Sequence, residues 1–256
     1  MKRTLLLCCL EMALVFAGNA APSTKSAKAE RRLAGFATRR TEGGAIAFID
    51  ARGNVDSGVG EVARRIQDSC GLVVMCQPGV DGKATSAMKQ ALDAVASSNV
   101  AVAISIAVEG ADRPALTVCP EDGVAVINVD RLGENLPAEN AKSVFHDRIM
   151  TEMWRAVAFV LGGYASGMPC AFSVIRRPQD MDNLPIHVIS PPILAKIVDG
   201  AVRFDVARIE TEPYEIAVRK GWAPLPTNDV QKAIWERVKA AKAAATNAPA
   251  ATPPAK

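Results

Sequence analysis

The chain has 256 residues, 49% of them hydrophobic but only 5% aromatic, and 30 Lys and Arg against 27 Asp and Glu leave a formal net charge of +3. That length admits one large domain or two small ones with a genuine apolar core built mostly from Ala and Val. Acids and bases are interleaved, which excludes a nucleic-acid footprint, and no apolar stretch in the body of the chain reaches the length of a membrane span.

The first residues, MKRTLLLCCLEMALVFAGNAAPS, run from Lys2 and Arg3 through an apolar stretch broken by Glu11 to a cluster of small residues. This is the order of a secretory signal peptide, with Gly18 and Ala20 at the −3 and −1 positions for a cut after Ala20. A cut one residue later would place Pro22 at +1, where signal peptidase works poorly. Residues 1–20 are therefore expected to be removed and the product to be secreted or periplasmic. Residues 21–42 are charged and small and read as a flexible leader. Of the six cysteines, Cys8 and Cys9 leave with the signal; Cys70, Cys76, Cys119 and Cys170 remain. None stands in C-x-x-C spacing, so a structural zinc site has no support. Their disulfide pairing stays open: an oxidising compartment permits it, while apolar surroundings favour free buried thiols.

GAIAFIDA (44–51) is a short apolar run with a glycine before it, hence a buried strand. DSGVGEVARRIQDSCG predicts a helix capped by Asp56 or Ser57, with Val59, Val62 and Ile66 on its apolar face and Gly71 as its stop. LVVMCQP (72–78) is a second strand. TSAMKQALDAVASSN (85–99) predicts a helix with Thr85 as cap and Met88, Leu92 and Val95 turned inward. VAVAISIAV (100–108) is a third, buried strand. This β-α-β-α-β order implies parallel neighbours joined by right-handed crossovers. ALTVCPEDGVAVINVDRL then holds two strand-like runs around a PEDG turn, so the sheet gains a hairpin, becomes mixed and exposes an edge.

The longest helix candidate follows, about 139–161, with an apolar stripe of Val144, Phe145, Ile149, Met153, Trp154, Val157 and Val160 and a stop at Gly162–Gly163. After a loop containing GMPC come three further helix signals: SPPILAKIVDGAV with Ser190 as cap, TEPYEIAVRKG with Thr211 as cap and Gly221 as stop, and TNDVQKAIWERVKAA. The predicted organisation is an α/β (α+β) subdomain over 43–163, with a mixed, mostly parallel sheet and a long central helix. A helical C-terminal subdomain over 164–243 and a disordered Ala/Pro-rich tail over 244–256 complete it.

This layout resembles the metzincin zinc peptidases, and among them the archaemetzincins, over roughly residues 44–175. VAVINVDRL (124–132) is similar to the strand-plus-Arg-Leu segment ahead of the family's zinc helix. TEMWRAVAFVLGG (151–163) lies over its H-E-x-x-H-x-x-G-x-x-H, and PCAF (169–172) over the Cys-x-Met of its Met-turn. The resemblance implies a metzincin-like fold. It also places Thr151, Arg155 and Leu161 at the three zinc-histidine positions, Ala158 at the family glycine, and Cys170 and Phe172 in the vestigial Met-turn. Only Glu152, at the general-base position, matches. The family's second, cysteine-rich zinc site has no counterpart in SVIRRPQDMDNLP.

Zinc hydrolysis needs imidazoles or carboxylates that fix Zn²⁺ and leave a position for water. A threonine hydroxyl is a poor ligand, leucine is none, and a guanidinium repels the cation. The expectation is a chain without zinc or any other cofactor. His146 and His187 are the only histidines, and His146 lies off the ligand positions of the helix. Arg148, Glu152 and Arg155 can form a ladder on one helix face. Two readings stay open: a solvated ladder, or Arg155 occupying the former metal position as the partner of a buried Glu152. A Cys170/His146 nucleophile pair is the weaker alternative to a buried thiol. Neither a G-x-S-x-G elbow nor a G-x-x-x-x-G-K loop occurs.

Three functions are compatible with these features. The first is an exported, catalytically inactive metzincin-like protein, a pseudo-metallopeptidase that binds or scaffolds a protein or peptide. The second is a hydrolase with relocated ligands such as His146, His187, Asp180 or Asp182. The third is a periplasmic α/β binding module unrelated to peptidases. None calls for nucleic acid, or for a membrane span once the signal is cut.

Overall fold

The computed structural model describes residues 34–52, 57–79, 86–97, 99–185 and 190–246. The signal peptide, the Asp56 and Thr85 caps, His187 and most of the Ala/Pro-rich tail lie outside the described residues. The chain divides into two units, Arg39–Glu210 and a smaller one made of Met1–Thr38 with Thr211–Lys256. The division expected at 163/164 is not the one the contacts draw. Residues 164–210 belong with the sheet because their helix packs on the long central helix.

In chain order the elements begin with β1 (Phe36–Arg40), β2 (Ala45–Asp50), α1 (Ser57–Cys70), β3 (Val74–Pro78), α2 (Ala87–Val95) and β4 (Val100–Ala107). They continue with β5 (Leu116–Cys119), β6 (Val124–Asn128), the short α3 (Val129–Leu132), α4 (Ala141–Val160), a 3₁₀ turn (Pro178–Met181) and α5 (Pro191–Arg203). The last three elements are β7 (Ile209–Pro213), α6 (Tyr214–Lys220) and α7 (Asp229–Thr246). The fold is mixed α/β, as the sequence predicts.

Five strands form one sheet in the order β3-β2-β4-β6-β5. The first four are parallel, and β5 runs antiparallel to β6 as an edge. β2 and β6 are buried along their whole length and β4 nearly so, as covered parallel strands must be. Alternation sorts their side chains into two layers. Ile46, Phe48, Val102, Ile104 and Ile127 meet α1 and α4 in the main core, while Ala47, Ile49 and Ala103 meet α2 in a second cluster.

Of the inward face expected for α2, Met88 and Val95 pack against that second layer, while Leu92 is 42% exposed and Ala87, Gln90 and Ala91 are the buried positions. Ala47 and Ala103 opposite it leave little relief, and a small helix face approaches closest. Its cap is Ser86, whose side chain accepts from the Lys89 amide. Thr211 is not a helix cap either: it lies inside β7, paired with β1 in a two-stranded sheet. Pro213 biases the residue before it toward extended backbone, so α6 starts only at Tyr214. β1 itself falls within the expected flexible leader, whose residues 36–40 are a strand.

α4 departs most from expectation. Instead of one apolar stripe, every residue from Arg148 to Ala158 is buried. The helix lies between the sheet and α5, and Gly200 of α5 comes so close that a Cβ there would sit 1.9 Å from the Leu161 carbonyl oxygen. Gly162 ends the helix at φ +90°. Such enclosure forces each polar side chain of α4 to find its partner inside the protein.

Candidate functional site

Thr151, Glu152 and Arg155 lie in the enclosed turns of α4, and all three are buried. The Thr151 hydroxyl donates to the Asp147 carbonyl at 2.9 Å, an i−4 back-bond that occupies its proton. Arg155 Nε donates to Glu152 Oε2 at 3.1 Å. Arg155 Nη1 donates to the Ser173 carbonyl at 2.6 Å and to the Ala171 carbonyl at 3.4 Å. Its Cζ also stands 5.0 Å from the centre of the Phe159 ring. Glu152 is 1% and Arg155 8% exposed, so of the two readings of this pair the geometry is the buried one.

The segment that receives Arg155 is closed on itself. The Ser166 amide donates to the Phe172 carbonyl at 2.7 Å, and the Ser173 amide to the Cys170 carbonyl at 3.0 Å. The Ser173 hydroxyl accepts from the Cys170 amide at 2.9 Å and donates to the Met168 carbonyl at 2.8 Å. With those groups satisfied, the carbonyls of Ala171 and Ser173 remain for the guanidinium. Cys170, Phe172 and Leu161 are buried in the main apolar core.

Arg148 does not join Glu152, which corrects the three-membered ladder. Its Nε and Nη2 form a fork on the Asp182 carboxylate at 2.6 and 2.8 Å. Its Nη1 donates to the carbonyls of Leu132 at 2.8 Å and Glu134 at 2.7 Å. Asp180 is likewise committed: its Oδ2 accepts from the Arg176 and Arg177 amides, each at 3.0 Å. Those backbone bonds hold its carboxyl below the usual aspartate range. His146 is half-exposed beside Asp147, 3.8 Å away, and no hydrogen bond joins it to Cys170 among the described residues. Cys70, Cys76, Cys119 and Cys170 are all free thiols. Burial pushes Cys70 and Cys76 up to about 11, which makes them inert.

Glu152 and Arg155 line a cavity of about 280 Å³ beneath the β5 edge at Leu116. Arg131, Arg176 and Arg177 stand around it. A larger cavity, about 540 Å³, lies elsewhere in the same unit among Arg39, Arg40, Thr41 and Asp205. The smaller one marks the site, because two polar side chains that are buried almost completely converge on it. Burial raises the Glu152 carboxyl above the ordinary glutamate range; the charge and the single hydrogen bond of Arg155 offset part of that shift.

No family model and no curated protein matches the chain. Solved structures do. An archaemetzincin from Methanopyrus kandleri is 13% identical at a TM-score of 0.49, over 63% of this chain and 97% of its own. A zinc-dependent peptidase from Methanocorpusculum labreanum is 14% identical at 0.44, over 60% and 100%. An archaemetzincin from Archaeoglobus fulgidus complexed with malonate is 16% identical at 0.41, over 59% and 99%. The site itself is defined by the side chains of this chain. Among the side chains that line the cavity, one carboxylate tied to a guanidinium and three further arginines fit poorly the donors Zn²⁺ requires. Among the described residues no three His, Cys, Asp or Glu come together.

The sequence singles out Glu152 and Arg155 but not what completes their surroundings. The carbonyls of Ala171 and Ser173 carry no side-chain signal at all. Asp182 is 34 residues from Arg148, beyond any helical spacing rule. Arg176 and Arg177 stand in plain view as a basic pair, yet only the 3₁₀ turn after them brings the pair to the cavity.

Two outcomes follow from the burial of this pair. Arg155→Ala leaves a buried carboxylate and two carbonyls without their donor and should cost on the order of 3 kcal/mol in denaturant unfolding, against under about 1 kcal/mol for a solvated pair. A cycle with Glu152→Gln and the double variant should give a coupling of about 1 kcal/mol or more; a coupling of zero contradicts the burial. The second outcome concerns pH. Because burial raises the Glu152 carboxyl in the folded protein, the folded state keeps this proton above the pH at which the unfolded chain releases it. Its contribution is full below the unfolded value and is lost as pH climbs through the folded value. Wild type should therefore lose stability relative to Glu152→Gln as pH rises above the ordinary glutamate range. Parallel stability curves for the two proteins would contradict the assignment.

Proposed function

We propose that this chain is an exported metzincin-like protein without metallopeptidase activity, a binding protein whose cleft is organised by a fixed guanidinium in place of a metal. One observation carries the reading. Arg155, at the position where the resemblance puts the second zinc histidine, ties Glu152 to the carbonyls of Ala171 and Ser173. A carboxylate that spends an oxygen on a neighbouring guanidinium is a poor base for activating water, and the guanidinium repels any cation brought beside it. The commitment of Asp180 and Asp182 to the Arg176–Arg177 amides and to Arg148 argues against the hydrolase with relocated ligands. The partner is a protein or peptide ligand, neither nucleic acid nor membrane. The signal-like order of the first 20 residues supports a mature protein in the periplasm or outside the cell.

The test is one preparation. Protein recovered from the periplasm of a Gram-negative host should begin at Ala21, carry well under one zinc per chain by elemental analysis, and show no chelator-sensitive peptidase activity. About one zinc per chain, lost to a chelator together with peptidase activity, overturns the proposal. An intact Met1 in the cytoplasmic fraction overturns the export.

A further inference from the structure

We propose that the cavity beneath β5 is a receptor for a carboxylate, held by Arg155 at its floor and drawn in by Arg176 at its rim. This deepens the metal-free reading of the same site and rests on it.

The floor is a built site. Arg155 uses Nε and Nη1 on Glu152, Ser173 and Ala171, which leaves Nη2 without a hydrogen-bond partner among the described residues. Glu152 uses Oε2 on Arg155, and Oε1 has no partner there either. Both side chains are more than nine-tenths buried, and both line the cavity. Neither atom is among the fully enclosed side-chain atoms that lack a partner, so each reaches the solvent of the cavity and can exchange water for an occupant. Nη2 therefore offers an N–H of a guanidinium to an occupant, a charge-assisted donor that a carboxylate oxygen accepts.

The charges at the rim set the sign of the ligand. Arg131 is paired with Glu134 at 2.7 Å, Arg155 with Glu152, and Arg177 loosely with Asp180 at 3.5 Å. Arg176 lines the same cavity, is exposed, and makes no ion pair among the described residues. One surplus positive charge around about 280 Å³ suits a monoanion of a few heavy atoms, or the terminal residue of a longer chain. The same carboxylate chemistry can come from a free small acid or from a peptide C-terminus.

Calorimetric titration of the whole mature protein tests this, with N-acetylalanine as the probe, its amide as the neutral match, and sulfate at equal ionic strength as a general oxyanion. N-acetylalanine should bind in a single saturable site, with the amide and sulfate each about tenfold weaker or more. Arg155→Lys keeps the charge but loses the guanidinium's several fixed donors and should weaken binding about tenfold, while the exposed Arg176→Ala, which leaves the fold intact, should weaken it several-fold. Acetylated pentapeptides with free or amidated C-termini separate the sources. Tighter binding of the free-acid peptide than of N-acetylalanine assigns a chain terminus; equal or weaker binding assigns a small acid. Equal affinity for acid, amide and sulfate overturns the proposal, as does absence of binding, or indifference to both substitutions, in folded, zinc-free protein. Binding that disappears with a chelator, in protein that carries zinc, overturns the metal-free reading itself.

Discussion

A guanidinium shared between one carboxylate and two carbonyls is the interaction on which this molecule turns. Arg155 joins two segments that have no other polar connection among the described residues, the middle of α4 and the closed loop from Ser166 to Ser173. The loop has already spent its hydroxyl and amides internally, so its outward carbonyls need a donor from the helix. The helix, enclosed on every side, needs an acceptor for each charge it carries. One side chain meets both needs. Breaking it would strand three buried polar groups at once, which is why it is costly to remove even though such a pair adds little over a well-packed apolar replacement.

Arg148 obeys the same constraint two turns earlier on α4, with a different set of partners. It forks onto Asp182 and caps the carbonyls of Leu132 and Glu134, pinning the short α3 and the 3₁₀ turn against the long helix. The 3₁₀ turn in turn carries Arg176 and Arg177 to the cavity, fixed by the bonds from their amides to Asp180. The position of the basic rim thus depends on an ion pair on the other side of the turn, its arginine enclosed and its aspartate reaching solvent. Structural charge and candidate binding charge are separate here: Arg148 is wholly enclosed, while Arg155 keeps one nitrogen toward the cavity.

Much of this was legible in the sequence where local signals suffice. Apolar runs bounded by polar or glycine residues mark β2, β4 and β6, and the PEDG turn marks the β5–β6 hairpin. Gly71, Gly162 and Gly221 mark helix ends, each with positive φ. What escaped depends on distance along the chain or on what lies opposite. Helical spacing paired Arg148 with Glu152, but a partner 34 residues away offers a bidentate fork. That Leu92 of α2 turns outward while Ala87 and Ala91 are buried follows from the alanines of the sheet opposite them. Burial around the whole circumference of α4 cannot be seen in a helix whose sequence carries three charges in eight positions, Arg148, Glu152 and Arg155; it is visible only once each has its partner.

The most direct measurement of the central claim is diffraction at the zinc absorption edge from crystals of the mature protein grown with excess Zn²⁺. The account predicts no anomalous peak within bonding distance of Glu152, with the Arg155 guanidinium between that carboxylate and the Ser173 carbonyl. A zinc peak on Glu152, with Arg155 swung away from the loop, would contradict it.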